Sequence, residues 1–149
     1  ANIYGPFDNF HPINSHVVPG LVRRFCDAKS NNIERVKIWG DGSAKRDFLY
    51  IDDCVDAMIK IAQNDYIGSI NVSTGKLTSI RDLAEIIKVY SNFSGGIDYD
   101  EKQLTGQKQR IFDNSNVRKL GWNYKVGLEE GIQRTINWSQ NNRNSINER

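Results

Sequence analysis

Four stretches of the chain carry apolar residues at helical spacing. Val18, Leu21, Val22 and Phe25 form the first, with Pro19 near its start, where a missing N–H costs nothing. Val55, Met58, Ile59 and Ala62 form an i, i+3, i+4, i+7 stripe, with Asp52 or Asp53 as the expected N-cap. Ile80, Leu83, Ile87 and Tyr90 form the third, opened by Ser79-x-x-Asp82, which resembles a capping box. Leu128, Ile132 and Ile136 mark the last, with Glu129 and Glu130 near its positive end. A short helix is expected from 114–116 to Gly121. Between them, β-rich runs at 2–4, 36–39, 48–51, 69–72, 97–99 and 110–112 read as strands. Strands alternate with helices, so the expected class is α/β, some strands pairing antiparallel. Residues 1–140 read as one unit, and 141–149 as a polar tail without structure.

Composition narrows the function. The 149 residues hold 20 Lys+Arg against 18 Asp+Glu, interspersed throughout, which gives no reason to expect nucleic acid. No apolar run approaches a membrane span and no signal-peptide core opens the chain, so no membrane partner and a cytoplasmic location are expected. Cys26 and Cys54 are too few for a disulfide framework and lack metal-ligand spacing. The opening Ala-Asn-Ile-Tyr-Gly-Pro reads as a strand entering a turn, which suggests a piece of a longer protein; removal of an initiator Met would leave the same start.

The densest polar stretch, from Tyr4 to Pro19, holds both histidines, His11 and His16, and joins a strand to a helix. Loops of that length in compact domains often carry function. His16 sits just before the helix, where an imidazole could act as general acid or base, or could simply cap or pack the loop. Two histidines with remote cysteines do not make a zinc site, and metal is rejected. Arg23 and Arg24 follow one turn on, and Arg46 lies beyond Gly40-x-Gly42. Arginine forks converging on a cleft suit a diphosphate, whereas surface arginines usually do nothing specific. Gly40-x-Gly42 joins two strands and has Lys45 at the third glycine position, so it reads as a turn. Trp39 beside it suits the core or a stacking surface. A dinucleotide glycine loop, a P-loop, a Gly-x-Ser-x-Gly elbow and a Tyr-x-x-x-Lys pair do not occur.

Several motifs carry a resemblance. These are Asn2-Ile3-Tyr4-Gly5-Pro6, Asp8-Asn9-Phe10-His11-Pro12-x-Asn14-Ser15-His16-Val17-x-Pro19, Arg23-Arg24-Phe25 and Trp39-Gly40-x-Gly42. Arg46-Asp47-Phe48-Leu49-Tyr50-Ile51-Asp52-Asp53, Ile70-Asn71-Val72-x-Thr74-Gly75, Ile80-Arg81-Asp82, Asp113 and Leu120-Gly121-Trp122 continue it. Over almost the whole chain the sequence resembles the GDP-L-fucose synthases, extended short-chain dehydrogenase/reductases of the NAD-dependent epimerase/dehydratase family. The Arg-x-Phe-x-Tyr-x-Asp-Asp run is shared by sugar-nucleotide epimerases and dehydratases generally. The Asp8–Val17 run is narrower and favours GDP-sugar epimerase/reductases.

The resemblance implies the C-terminal, substrate-binding part of a Rossmann-like enzyme, with residues 1–5 a remnant of the Rossmann sheet. The implied activity of the parent enzyme is conversion of GDP-4-keto-6-deoxy-D-mannose to GDP-L-fucose by epimerisation at C3 and C5 and reduction by NADPH. It implies His16 as the catalytic histidine, with its partner cysteine upstream, and Cys26 as a passive helix residue. Asn2, Ile3 and His16 would border NADP; Arg24, Trp39, Arg46 and Asp113 would contact the GDP-sugar. Arg23 is expected to be a solvated neighbour. Asp47 stands where the family often has Glu. A homodimeric parent is implied, while the isolated chain is expected to lack turnover and to self-associate or fray at strand 2–4. A colitose-type synthase, a UDP- or dTDP-sugar enzyme, and a non-catalytic sugar-nucleotide-binding module are the alternatives.

Overall fold

Three helices make the principal layer. Helix α1 (Val17–Ser30) buries Val18, Leu21, Val22, Phe25 and Ala28. Helix α3 (Ile80–Tyr90) buries Leu83, Ala84 and Ile87, and α5 (Leu128–Asn141) buries Ile132, Thr135 and Ile136. Each contacts the other two, because each has one apolar stripe to remove from water. The structure, a computed structural model, describes residues 1–102 and 107–147. Helices α1, α2 (Ile51–Gln63) and α3 are each followed by a left-handed residue: Asn32, Asp65 and Asn92, with φ of 53°, 48° and 55°. Short polar side chains tolerate that conformation, so these helix ends are written into the sequence. At the start of α3, Ser79 Oγ accepts the Asp82 N–H, as the motif predicts, and its hydroxyl also donates to the Asp82 carboxylate.

The strands form three pairs. Strand β1 (Asn2–Tyr4) runs parallel to β4 (Phe48–Tyr50), and β2 (Arg35–Trp39) parallel to β6 (Gly96–Asp100). Strand β3 (Lys45–Arg46) is antiparallel to β5 (Thr78–Ser79), with Arg46 opposite Thr78. Along β2 the alternation turns Val36 and Ile38 inward and leaves Arg35, Lys37 and Trp39 outward. The fold is α/β. A second apolar cluster gathers Leu49, Cys54, Ala57, Val117 and Trp122 around α2 and the short helix α4 (Ser115–Lys119). Among the described residues no helix is long and apolar enough to cross a membrane, and no group of three or more His, Cys, Asp or Glu side chains could hold a metal ion.

Several expectations are corrected. Residues 69–72 form no strand; a hydrogen bond from the Ala1 amino group to Val72 O, 3.2 Å, links them to the start of β1. Residues 110–112 form no strand either, because pairing there stops at a single bridge between Lys45 and Gln109. The N-cap of α2 is Tyr50, not an aspartate. Asp53 turns inward, 2% exposed, and accepts the N–H groups of Lys125 and Val126 at 2.9 Å each. The Val55, Met58, Ile59 stripe of α2 faces solvent; the helix instead buries Cys54 and Ala57, whose small side chains let it lie close over the strands. The supposed tail is helical as α6 (Arg143–Asn147), with Arg143 donating to Asp27 Oδ1 at 2.6 Å and Ser30 Oγ at 2.9 Å. Residues 148–149 of that stretch lie outside the described residues.

Gly131 fixes how closely α5 approaches β1. A Cβ there would stand 2.1 Å from Tyr4 Oη, and Tyr4 is buried with its hydroxyl donating to Leu128 O at 3.3 Å. Burial also pushes the Tyr4 phenol pKa up. Gly131→Leu is expected to cost about 2–3 kcal/mol by overpacking. Gly127→Ala, with open space around its Cβ, should cost under about 1 kcal/mol. Urea unfolding of the two variants measures the difference.

Candidate functional site

The long loop after β1 leads directly into α1, and His16 occupies the N-cap position there. Its side chain makes no capping hydrogen bond among the described residues and is 83% exposed. The loop is held by other groups. Asn9 Nδ2 donates to Asn14 O, and His11 Nδ1 accepts the N–H groups of Ile13 and Asn14 at 3.1 and 3.2 Å. Phe7 and Phe10 lie against Trp138, with ring centroids 4.9 and 5.7 Å away. His11 is thus a loop-builder, which leaves His16 as the imidazole free to face a cleft.

Two cavities adjoin at His16. One, of about 570 Å³, is lined by Asn2, Ile3, His16, Pro19, Ala44 and Arg46 among others. The second, of about 260 Å³, is lined by Ser15, His16, Arg24, Ile38 and Trp39 among others. His16, Val17 and Ile80 are common to both. Each element contributes for a local reason. Asn2 and Ile3 stand on β1, Arg24 on the second turn of α1, Trp39 at the outward end of β2, and Arg46 on β3.

The cationic groups have few competing partners of opposite charge. Arg24 Nη1 donates to Lys37 O at 3.4 Å, and its guanidinium lies 5.4 Å over the Trp39 ring, which is 63% exposed. Trp39 is therefore a flat wall at the cleft mouth rather than a core residue. Arg46 Nη1 donates to Lys45 O at 2.8 Å. Carbonyl partners orient a guanidinium without neutralising it, so both forks stay available to an anion. Arg23 differs from the solvated neighbour expected: it donates to Phe10 O at 3.1 Å and meets Asp27 at 3.4 Å, tying the loop to α1.

Six of the seven expected residues thus meet, and Asp113 does not. It is exposed in the segment before α4 and lines neither cavity. The Ser115 N–H, 2.9 Å away, and the Ser115 hydroxyl hold its carboxyl below the usual range. Burial raises the Cys26 thiol pKa, in keeping with a passive helix residue.

Asp47 has a larger part than the sequence reading gave it. It is fully buried and accepts Thr74 N–H (3.1 Å), Thr74 Oγ1–H (2.8 Å) and Gly75 N–H (2.8 Å). Its own carbonyl accepts both the N–H and the side-chain amide of Asn2, at 2.8 and 3.2 Å. One residue thereby fixes Asn2, its neighbour Arg46 and the 73–75 turn, and Ser73 O in turn accepts from Asn114.

Comparison with known proteins bears on this arrangement. The NAD dependent epimerase/dehydratase family matches residues 1–73. A probable GDP-L-fucose synthase 1 of Oryza sativa subsp. japonica is 42% identical over 140 residues, 93% of this chain and 42% of the relative. Residues 1–73 carry the sequence of the NAD-dependent epimerase/dehydratase family. Within that family, a GDP-L-colitose synthase of Yersinia pseudotuberculosis is 32% identical over 152 residues, 97% of this chain and 48% of the relative. The structure of a GDP-L-fucose synthetase from Naegleria fowleri bound to NADP superposes with a TM-score of 0.89 at 27% identity, covering 97% of this chain and 46% of that one. The chain spans a little under half the length of these family members.

Proposed function

We propose that this chain is the sugar-nucleotide-binding part of an NADP-dependent epimerase/reductase that converts GDP-4-keto-6-deoxy-D-mannose to GDP-L-fucose. The observation that carries the reading is the convergence of His16, Arg24, Trp39 and Arg46 on two adjoining cavities. In this reading Arg24 and Arg46 hold the diphosphate or neighbouring sugar oxygens, Trp39 offers an apolar wall, and His16 moves a proton beside the ketone. Protons next to a ketone are acidic because the carbanion delocalises onto the carbonyl oxygen. Asp113, outside both cavities, is left out of the assignment.

The residues assigned to the cofactor fit one end of NADP. Ile3 is 44% exposed and gives an apolar wall, and the Asn2 amide is held in place through its Nδ2 bond to Asp47 O. When bound, NADPH would supply the hydride for the C4 reduction. The isolated chain is expected to bind sugar nucleotide without turnover, and NADPH oxidation by the purified chain would overturn that.

Titration with GDP, followed by tryptophan fluorescence, tests the binding. Quenching at lower concentrations of GDP than of UDP supports the reading; quenching at lower concentrations of UDP favours a UDP- or dTDP-sugar enzyme, and equal response to both counts against a GDP-specific site. Arg46→Ala is expected to weaken GDP binding about tenfold to a hundredfold, the worth of a charge-assisted hydrogen bond. The 32% identity to a GDP-L-colitose synthase favours one second reading, in which the nucleotide is the same and the sugar differs. Product analysis of a full-length enzyme separates the two.

A further inference from the structure

The carboxylate of Asp8 is poorly satisfied for a group so enclosed. Its side chain is 15% exposed; Oδ1 accepts the Asn9 N–H at 2.7 Å, and Oδ2 is buried with no hydrogen-bond partner among the described residues. A buried carboxylate oxygen without a donor is costly, so a nearby N–H gains by turning to it. His16 stands beside this carboxylate, its Nδ1 3.7 Å from the other oxygen, Oδ1, so that a small movement of the ring brings its N–H within hydrogen-bond reach of the group. Asp8 itself has little freedom, standing between Phe7 and Phe10, both lodged on Trp138, while the exposed imidazole is free to swing.

We propose that Asp8 is a positioning residue for His16, accepting its Nδ1–H and so presenting Nε2 to the adjoining cavities. An imidazole has two tautomers, and the partner of one nitrogen decides which nitrogen is left for chemistry. With Nδ1–H held by Asp8, the neutral ring presents a bare Nε2 that can take a proton from the substrate; when the imidazolium so formed gives that Nε2 proton back, the ring returns to its neutral Nδ1–H form. This deepens the proposed function and rests on its reading of His16 as the proton-transfer group. His11 supplies an internal contrast. Its Nδ1 already accepts two backbone N–H groups, so its neutral ring carries the proton on Nε2. The two histidines of the chain are thus assigned opposite tautomers.

Long-range ¹H–¹⁵N correlation spectra of the labelled chain, in alkaline solution where both rings are neutral, read the tautomers without any turnover. The expected wild-type result is a pyrrole-type Nδ1 in His16 and a pyrrole-type Nε2 in His11. Asp8→Ala should move the His16 Nδ1 signal toward the pyridine-type range and leave His11 unchanged. Asp8→Asn, which keeps a carbonyl acceptor, should restore the wild-type pattern at least in part. A wild-type His16 protonated on Nε2 overturns the proposal with no variant needed. An unmoved His16 signal in Asp8→Ala, with His11 intact as evidence of a folded loop, also overturns it. Because nothing is turned over, a His16 that proves catalytically idle leaves this measurement fully readable.

Discussion

Asp47→Ala is expected to lower the unfolding free energy by about 3 kcal/mol, enough to reduce Tm by roughly 10 °C in a chain of this size. The substitution strips the acceptor from three donors at once, and the Thr74 amide and hydroxyl are in a residue only 7% exposed. Water cannot replace a carboxylate there without opening the 73–75 turn. Asp47→Asn should fare little better, because its NH₂ group would point at an N–H donor. A surface aspartate such as Asp56, 47% exposed at its side chain and paired with Lys125 at 3.4 Å, is the control and should cost under about 1 kcal/mol. Thermal melts of the three variants decide the matter; a Tm for Asp47→Ala within a degree or two of wild type would show that the turn holds without its carboxylate. Loss of the turn should also loosen Asn114, which hangs from Ser73 O.

His16→Ala carries the largest expected effect on activity. On the proposed function, a full-length enzyme with this substitution should lose about 10²- to 10⁴-fold in epimerisation, the usual contribution of a positioned general acid or base. The effect should fall on proton exchange at the sugar carbons, followed by deuterium incorporation, and less on GDP affinity, which the arginines dominate. Stability should barely move, since the imidazole is 83% exposed and makes no capping bond among the described residues. His11→Ala should show the reverse pattern, disturbing the loop and through it both measurements, because two backbone N–H groups lose their acceptor. Deuterium incorporation at the wild-type rate in His16→Ala would remove His16 from the chemistry.

What could be read from the sequence was local. Helix α1 announces itself through Val18, Leu21, Val22 and Phe25, and α3 through Ser79 and Asp82, because periodicity and caps need only near neighbours. The same logic located α2 but could not choose its inner face, which packing with Leu49, Val117 and Trp122 decided in favour of Cys54 and Ala57. The buried roles of Asp47 and Asp53 were not legible because their donors lie far along the chain, at Thr74 and Gly75 and at Lys125 and Val126. Strands β3 and β5, two residues each, leave no period to detect. Within the site, motif resemblance selected His16, Arg24, Trp39 and Arg46, yet their meeting depends on α1, β2 and β3 converging in space. Asp8 was visible only as part of a motif; its tie to His16 needs the fold of the loop between them.

The parallel pairings also govern how the molecule comes to be built. Strand β1 finds β4 only after Phe48–Tyr50 has been made, β2 waits for Gly96–Asp100, and Tyr4 meets Leu128 across a separation of 124 residues. Helices such as α1 and α2 can flicker into existence early, but none of the described strands is paired off by a neighbouring hairpin. Folding is therefore set by long loop closures and belongs to the slow regime of milliseconds to seconds. During that interval Tyr4, Phe25 and Leu49, all buried in the finished fold, are in water together, which makes the nascent chain a natural client for chaperones and makes dilute, slow refolding the better route to soluble protein.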